Sequence, residues 1–231
     1  MFPEHSMPSD LKGRIEDSLR DIRYHPEFSS EADGQLKAFV EKCQESGQLQ
    51  SMMQEIRCRA NDAVLMRETF FPARLEFLSR LLSYLGERPE AHLSVAEDGC
   101  GTGVDLYVLD ALLKDKLTLT GIDKSESALA IARNRVPRAR FLPDFDGASY
   151  DLIYSDFVAI DGNLVWEIGE RGKKNFDALC SPGIVLQNAD MKLLRLYCTF
   201  FGQRFSKIVS PELLAEIPNG PDCYLCRFEK K

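Results

Sequence analysis

Three glycines spaced two apart, Gly99, Gly101 and Gly103, stand among carboxylates: Glu97 and Asp98 precede the turn and Asp105 follows it. Leu93, Val95 and Ala96 lead in as a short apolar strand, and Val104 to Leu113 lead out as a helix. Glycine in such a turn lets backbone approach a ligand that a Cβ would strike. The spacing selects among ligands. A dinucleotide fingerprint reads Gly-x-Gly-x-x-Gly, and Val104 stands where its last glycine belongs. A phosphate loop needs Gly-Lys-Ser/Thr, whereas Gly103 precedes Val104 and Asp105. Acids around a helix N-terminus oppose a pyrophosphate, so a cationic or zwitterionic ligand fits better.

A second acid lies at the matching distance. Leu117 to Ile122 reads as a buried strand ending in Asp123, twenty positions beyond Gly103, the separation that brings a strand-end carboxylate to ribose hydroxyls. Ser125 then caps a helix carrying Leu129 and Ile131. Strand, turn, helix, strand and acid make a nucleoside half-site.

With these residues the chain resembles the class I S-adenosylmethionine-dependent methyltransferases. Their first motif, Glu/Asp-x-Gly-x-Gly-x-Gly, is met by Glu97, Gly99, Gly101 and Gly103. The likeness continues in order through segments beginning at Gly121, Phe141, Tyr150 and Leu179, and spans roughly 90–231. It implies S-adenosyl-L-methionine as cofactor, with Glu97, Gly99, Cys100 and Gly101 along its methionine end and Gly103 closing the turn. Asp123, followed by Lys124, would accept the ribose hydroxyls. Asp144 would meet the adenine amino group, with Phe145 beside it as backbone donor, and Ser155 would complete the binding set.

In an open α/β sheet, ligands bind outside the carboxyl ends of the strands. The strand at 150–155 delivers Asp156 there, and in the resembling family the segment after the fourth strand faces the transferable methyl group. The Asn/Asp-Pro-Pro-Tyr/Phe signature for planar amino groups is absent, since Ser155-Asp156-Phe157-Val158 has neither proline. A neutral, lone-paired nucleophile needs mainly alignment, whereas a hydroxyl acceptor wants a base or metal, and Asp156 is the candidate base. Asp156, Asn188 and Asp190 suggest an oxygen-ligand set for Mg²⁺. Their order departs from that of metal-dependent catechol-type relatives, so no metal is expected, and Asp190 reads as a helix cap.

The elements positioning these residues fall into two parts. Residues 1–90 read as a helical extension. One stripe carries Leu11, Ile15, Leu19 and Ile22; others run from Leu36 to Cys43 and Leu49 to Ile56, with a start at Ser30 and a stop at Gly47. Pro72 opens a further helix that Gly86 closes. Residues 91–231 alternate strands, near 117–122, 139–142, 150–155, 183–188, 205–209 and 222–229, with helices. The expected fold is therefore α/β, a doubly wound, mostly parallel, seven-stranded Rossmann-like sheet with an all-helical N-terminal extension. The family likeness implies that the last strand inserts antiparallel beside the fifth. It also suggests the extension as a lid over the acceptor, with Tyr24, Met66, Arg67, Phe70 and Phe71 as candidate pocket residues and Trp166 as a wall or packing residue.

Composition narrows the partners. A net charge of −7 argues against sequence-independent nucleic-acid binding. Seven cysteines, an odd number with no signal peptide before them, read as reduced thiols in a cytoplasmic protein. Cys223-x-x-Cys226 lacks a second pair and reads as strand. No apolar run is long enough for a bilayer. The expected activity is methyl transfer to a small-molecule acceptor held between sheet edge and extension, with no nucleic-acid or membrane partner and a homodimer left open. The alternatives are a non-catalytic cofactor-binding regulatory domain and an aminopropyltransferase-like enzyme, the latter disfavoured because that family starts with a β-rich domain.

Overall fold

The computed structural model describes residues 9–23, 71–86, 88, 92–156, 164–189, 191–215 and 223–231. The helices expected over 36–56, with Ser30 and Gly47, and the pocket candidates Tyr24, Met66, Arg67 and Phe70 lie outside these residues, as do Asp190 and the side chains of Phe71, Trp166 and Asn188.

Seven strands form one sheet in the order β3-β2-β1-β4-β5-β7-β6. The strands are β1 (Leu93–Asp98), β2 (Leu117–Ile122), β3 (Arg140–Leu142), β4 (Tyr150–Asp156), β5 (Leu179–Ala189), β6 (Lys207–Ala215) and β7 (Cys223–Lys230). The first five run parallel, and β7 lies antiparallel to both β5 and β6, as the family likeness implied. Strand order reverses between β1 and β4, which opens a crevice at their carboxyl ends.

Period-two alternation divides the apolar residues between two faces. Val95, Leu152, Tyr154 and Leu186 face one side, where they pack with α1 (Ser9–Arg23), α2 (Phe71–Gly86), α3 (Val104–Leu113) and α4 (Glu126–Arg135). Ala96, Ile153 and Val185 face the other, with α5 (Leu164–Ala178) and α6 (Met191–Phe201). The predicted stripe on α1 is real: Ile15 and Leu19 are fully buried, packed with α2 and α3. Each such side chain contributes about 1.5–3 kcal/mol of transfer free energy. The two described helices of the 1–90 extension thus share the core of the sheet.

Two strands outrun their expected limits, each through a proline. On β5, Leu179 pairs with Tyr150 and Ile184 with Leu152, so Pro182 falls in an irregular stretch of the ladder. On β6, the register shifts between Val209 and Glu212, which accommodates Pro211 on an edge strand. Proline cannot donate to a ladder, but a bulge or an edge relieves it of having to. On β7, Lys230 Nζ donates to the carbonyls of Phe176 and Leu179 at 2.8 and 2.7 Å, at the junction of α5 and β5.

Candidate functional site

The glycine turn is hung on the end of β2. The amides of Gly99 and Cys100 donate to the Ile122 carbonyl at 2.7 and 3.0 Å. Behind it, a Cβ on Gly121 would lie 2.6 Å from the Phe141 ring and 2.8 Å from Cys100 Sγ, so only glycine permits this approach. The turn's own glycines divide the work. A Cβ on Gly103 (φ +75) would press on Ala132 at 3.1 Å, so this residue lets α3 close on α4. At Gly101 (φ +53) nothing lies within 4 Å of the Cβ position, so the turn is open on that side. Arg135 of α4 donates to the Thr102 carbonyl at 2.9 Å and braces the turn from outside.

Asp123 lies beside that opening, half-buried. Its Oδ2 accepts from the Gly101 amide at 2.9 Å and its Oδ1 from the Ser125 amide at 2.8 Å, leaving lone pairs on both oxygens for hydroxyl donors. Ser125 caps α4 as expected, its hydroxyl accepting from Ala128 N at 3.3 Å. Asp144 is exposed; it accepts from the Phe145 amide at 2.9 Å and pairs with Lys174 of α5. Phe145 is half-buried, its ring 6.1 Å from Tyr150, and Lys124 is exposed.

The opposite end is closed and charged. Arg74, from the first turn of α2, donates from Nε to Asp105 Oδ1 at 2.7 Å, and its Nη2 lies 2.6 Å from the same oxygen. Asp156 Oδ2 stands 3.9 Å from Arg74 Nε. Glu97, only 2% exposed, accepts a hydrogen bond from the Tyr154 hydroxyl at 3.1 Å. Four elements, α2, β1, α3 and β4, thus bring one guanidinium to three carboxylates. Two buried atoms there have no partner among the described residues, Arg74 Nη1 and Asp105 Oδ2.

The electrostatics follow from that crowding. Burial works against the Arg74 charge, but Asp105, Asp156 and Glu97 outweigh it and raise its pKa. Glu97 is pushed well above the usual carboxylate range by burial and then by Asp105, against the pull of Arg74. Burial likewise pushes the Cys100 thiol up and marks it as packing behind the turn.

Two residues at the strand ends act as braces. Ser155 is buried and its hydroxyl donates to the Asp98 carbonyl at 2.6 Å. The Asp98 carboxylate takes a bidentate grip from Arg171 of α5, at 2.7 and 2.6 Å, which ties that helix to the end of β1. Among the described residues, no group of three or more His, Cys, Asp or Glu is placed to hold a metal ion. Sequence reasoning missed Arg74 and Arg171. For Arg74 a signal existed: a cation in the first turn opposes the helix dipole, and this one interrupts an otherwise apolar stretch, Phe71 to Leu75.

No family model matches the chain, and no curated protein sequence does. Solved structures do. TrmN from Thermus thermophilus superposes with a TM-score of 0.56 at 15% identity, covering 67% of this chain and 49% of that one, so the chain spans about half of TrmN's length. The N-methyltransferase NodS from Bradyrhizobium japonicum WM9, in complex with S-adenosyl-L-homocysteine, gives 0.54 at 18% identity, over 72% of this chain and 94% of its own. The T. thermophilus 16S rRNA N2 G1207 methyltransferase RsmC, with AdoMet and guanosine, gives 0.53 at 17% identity, over 69% of this chain and 43% of its own. Together with the strand order and the inserted antiparallel β7, these likenesses show that the chain has the fold of the class I S-adenosylmethionine-dependent methyltransferases.

Proposed function

We propose that the protein binds S-adenosylmethionine across the β1–β4 crevice and catalyses methyl transfer to a small-molecule acceptor. The observation that carries this reading is the pair of buried open valences, Arg74 Nη1 and Asp105 Oδ2, together with a glycine turn that is open at Gly101. A buried donor and acceptor left unpaired cost about 1–3 kcal/mol each, which a ligand of matching polarity recovers. An amino-acid end is that match: carboxylate on Arg74, ammonium between Asp105 and Glu97. Asp123 takes the ribose hydroxyls, with Lys124 beside it, and Asp144 with the Phe145 amide takes the adenine. Gly99, Cys100 and Gly101 line the turn, while Gly103 and Ser155 shape it from behind.

When bound, S-adenosylmethionine supplies a methyl group activated on a sulfonium. The chain's own contribution is alignment and proton handling. Asp156, buried at the end of β4, accepts a hydrogen bond from an N–H or O–H acceptor and takes its proton. Because Arg74, in the first turn of α2, belongs to the buried cluster at the closed end of the crevice, the 1–90 extension supplies a residue to the site, which supports reading part of it as a lid over the acceptor. RsmC acts on rRNA, but a net charge of −7 supports a small-molecule acceptor here.

Radiolabelled methyl transfer tests the reading, with panels of small amines, alcohols and structured RNA as acceptors. Labelling of a small amine or alcohol, reduced about 100-fold or more by Asp156→Asn, is the expected result. Cofactor binding with no turnover on any acceptor would favour a regulatory domain, and labelling of RNA alone would overturn the acceptor class.

A further inference from the structure

Four of the described cysteines, Cys100, Cys180, Cys198 and Cys226, have free thiols in different environments. Cys100 is buried behind the glycine turn and Cys180 stands alone at the start of β5. Cys198, on α6, and Cys226, on β7, come from separate elements and meet in the core of the second sheet face. The packing that joins them is firm: Tyr197, next to Cys198, and Phe228, two residues past Cys226, bring their rings to 4.7 Å. Cys226 is fully buried, whereas Cys198 is partly exposed. The Cys226 thiol donates to the Val209 carbonyl at 3.2 Å.

We infer that Cys198 and Cys226 form a peroxide-oxidisable dithiol, a modification site outside the cofactor crevice in which Cys198 reacts first and Cys226 closes a disulfide. Partial exposure gives a small hydroperoxide access to Cys198, and full burial denies it access to Cys226. The thiolate is the nucleophile, and the electrostatics agree on which sulfur bears it. The Cys226 hydrogen bond brings Cys198 down to about 7, while Cys226 is pushed up by the same contact and by burial. Burial also raises Cys100 and Cys180.

In the first step, Cys198 sulfur forms a bond to one peroxide oxygen as the O–O bond breaks. The sulfur is oxidised by two electrons to sulfenic acid, and the departing oxygen takes a proton and leaves as water or an alcohol. Cys226 sulfur then attacks Cys198 sulfur and releases its proton; the S–S bond forms, the S–O bond breaks, and the hydroxide leaves as water. With hydrogen peroxide, two thiols and one peroxide become one disulfide and two waters. The bond ties α6 to the strand inserted between β5 and β6.

The full chain should be exposed to stoichiometric hydrogen peroxide, blocked with an alkylating agent under denaturing conditions and mapped by peptide mass spectrometry. The expected product is a Cys198–Cys226 link two hydrogens lighter than the sum of its peptides, with Cys100 and Cys180 still alkylated. Cys226→Ser should instead leave Cys198 as a sulfenic acid that dimedone captures. Cys198→Ser should slow peroxide-dependent loss of the Cys226 thiol about tenfold or more. Oxidation of Cys198 straight to sulfinic acid without a link, a link to Cys223 instead of Cys226, or equal reactivity of Cys100 and Cys198 would each overturn the inference.

Discussion

The two ends of the β1–β4 crevice solve the problem of polar recognition differently. At the open end, Asp123 and Asp144 are held by backbone amides, those of Gly101 and Ser125 for the first and of Phe145 for the second, within reach of water. At the closed end, Arg74, Glu97, Asp105 and Asp156 are buried and hold one another, and two of their atoms stay unpaired. The open end is inexpensive to fold and gains its value from a ligand. The closed end is costly to fold, since buried charges lose hydration unless each finds a partner. A site with one end of each kind should respond to mutation in two currencies, affinity at the open end and stability at the closed end.

The largest effect expected is that of Arg74→Met. It leaves Asp105 buried without its cation, and removing one partner of a buried pair costs about 3–5 kcal/mol. Urea unfolding measures it, and a loss below about 1 kcal/mol would mean that the closed end is hydrated after all. Next is Asp123→Ala, expected to reduce S-adenosylmethionine affinity at least about tenfold through two lost charge-assisted hydrogen bonds. Calorimetry reads the affinity and a thermal melt the stability; a large fall in the melt with unchanged affinity would reverse the contrast between the ends.

Glu97 sharpens the comparison through pH. Its pKa in the folded protein is raised, so its contribution to stability is complete below the unfolded value of about 4.3 and is lost as pH rises through the folded value. Glu97→Gln should flatten that decline, and a pH profile of unfolding parallel to the wild type would exclude a buried, protonated Glu97. The smallest effect belongs to Asp144→Ala. Its pair with Lys174 is exposed, so stability should move by less than about 1 kcal/mol and affinity only a few-fold. A loss as large as that of Asp123→Ala would show that the adenine end is more enclosed than this.

The same contrast explains what could be read from sequence. Asp123, Ser125 and the Gly99–Gly103 turn make contacts within about twenty residues of one another, and spacing encodes such contacts. Arg74 and Asp105 are far apart in sequence and meet only because α2 and α3 pack on one face of the sheet, a tertiary event that periodicity does not register. Asp98 looked like a flank of the turn, and its bidentate partner Arg171 lies 73 residues away on α5. β5 and β6 run past their expected bounds through Pro182 and Pro211, because a single chain does not reveal where the ladder will bulge. Cys226 was weighed against Cys223, its neighbour in sequence, whereas its structural neighbour is Cys198. Local turn chemistry was legible, and pairings across elements were not.

Calorimetric titration of S-adenosylmethionine into the wild type and Gly101→Ala tests the central claim most directly. The Cβ position at Gly101 is clear of protein atoms, so the variant carries only the backbone cost of a positive φ, about 1 kcal/mol, and should fold. The account predicts one site of micromolar affinity in the wild type and at least a tenfold weaker one in a variant with a cooperative thermal transition. No heat of binding in the wild type, or equal affinity in the two proteins, would contradict it.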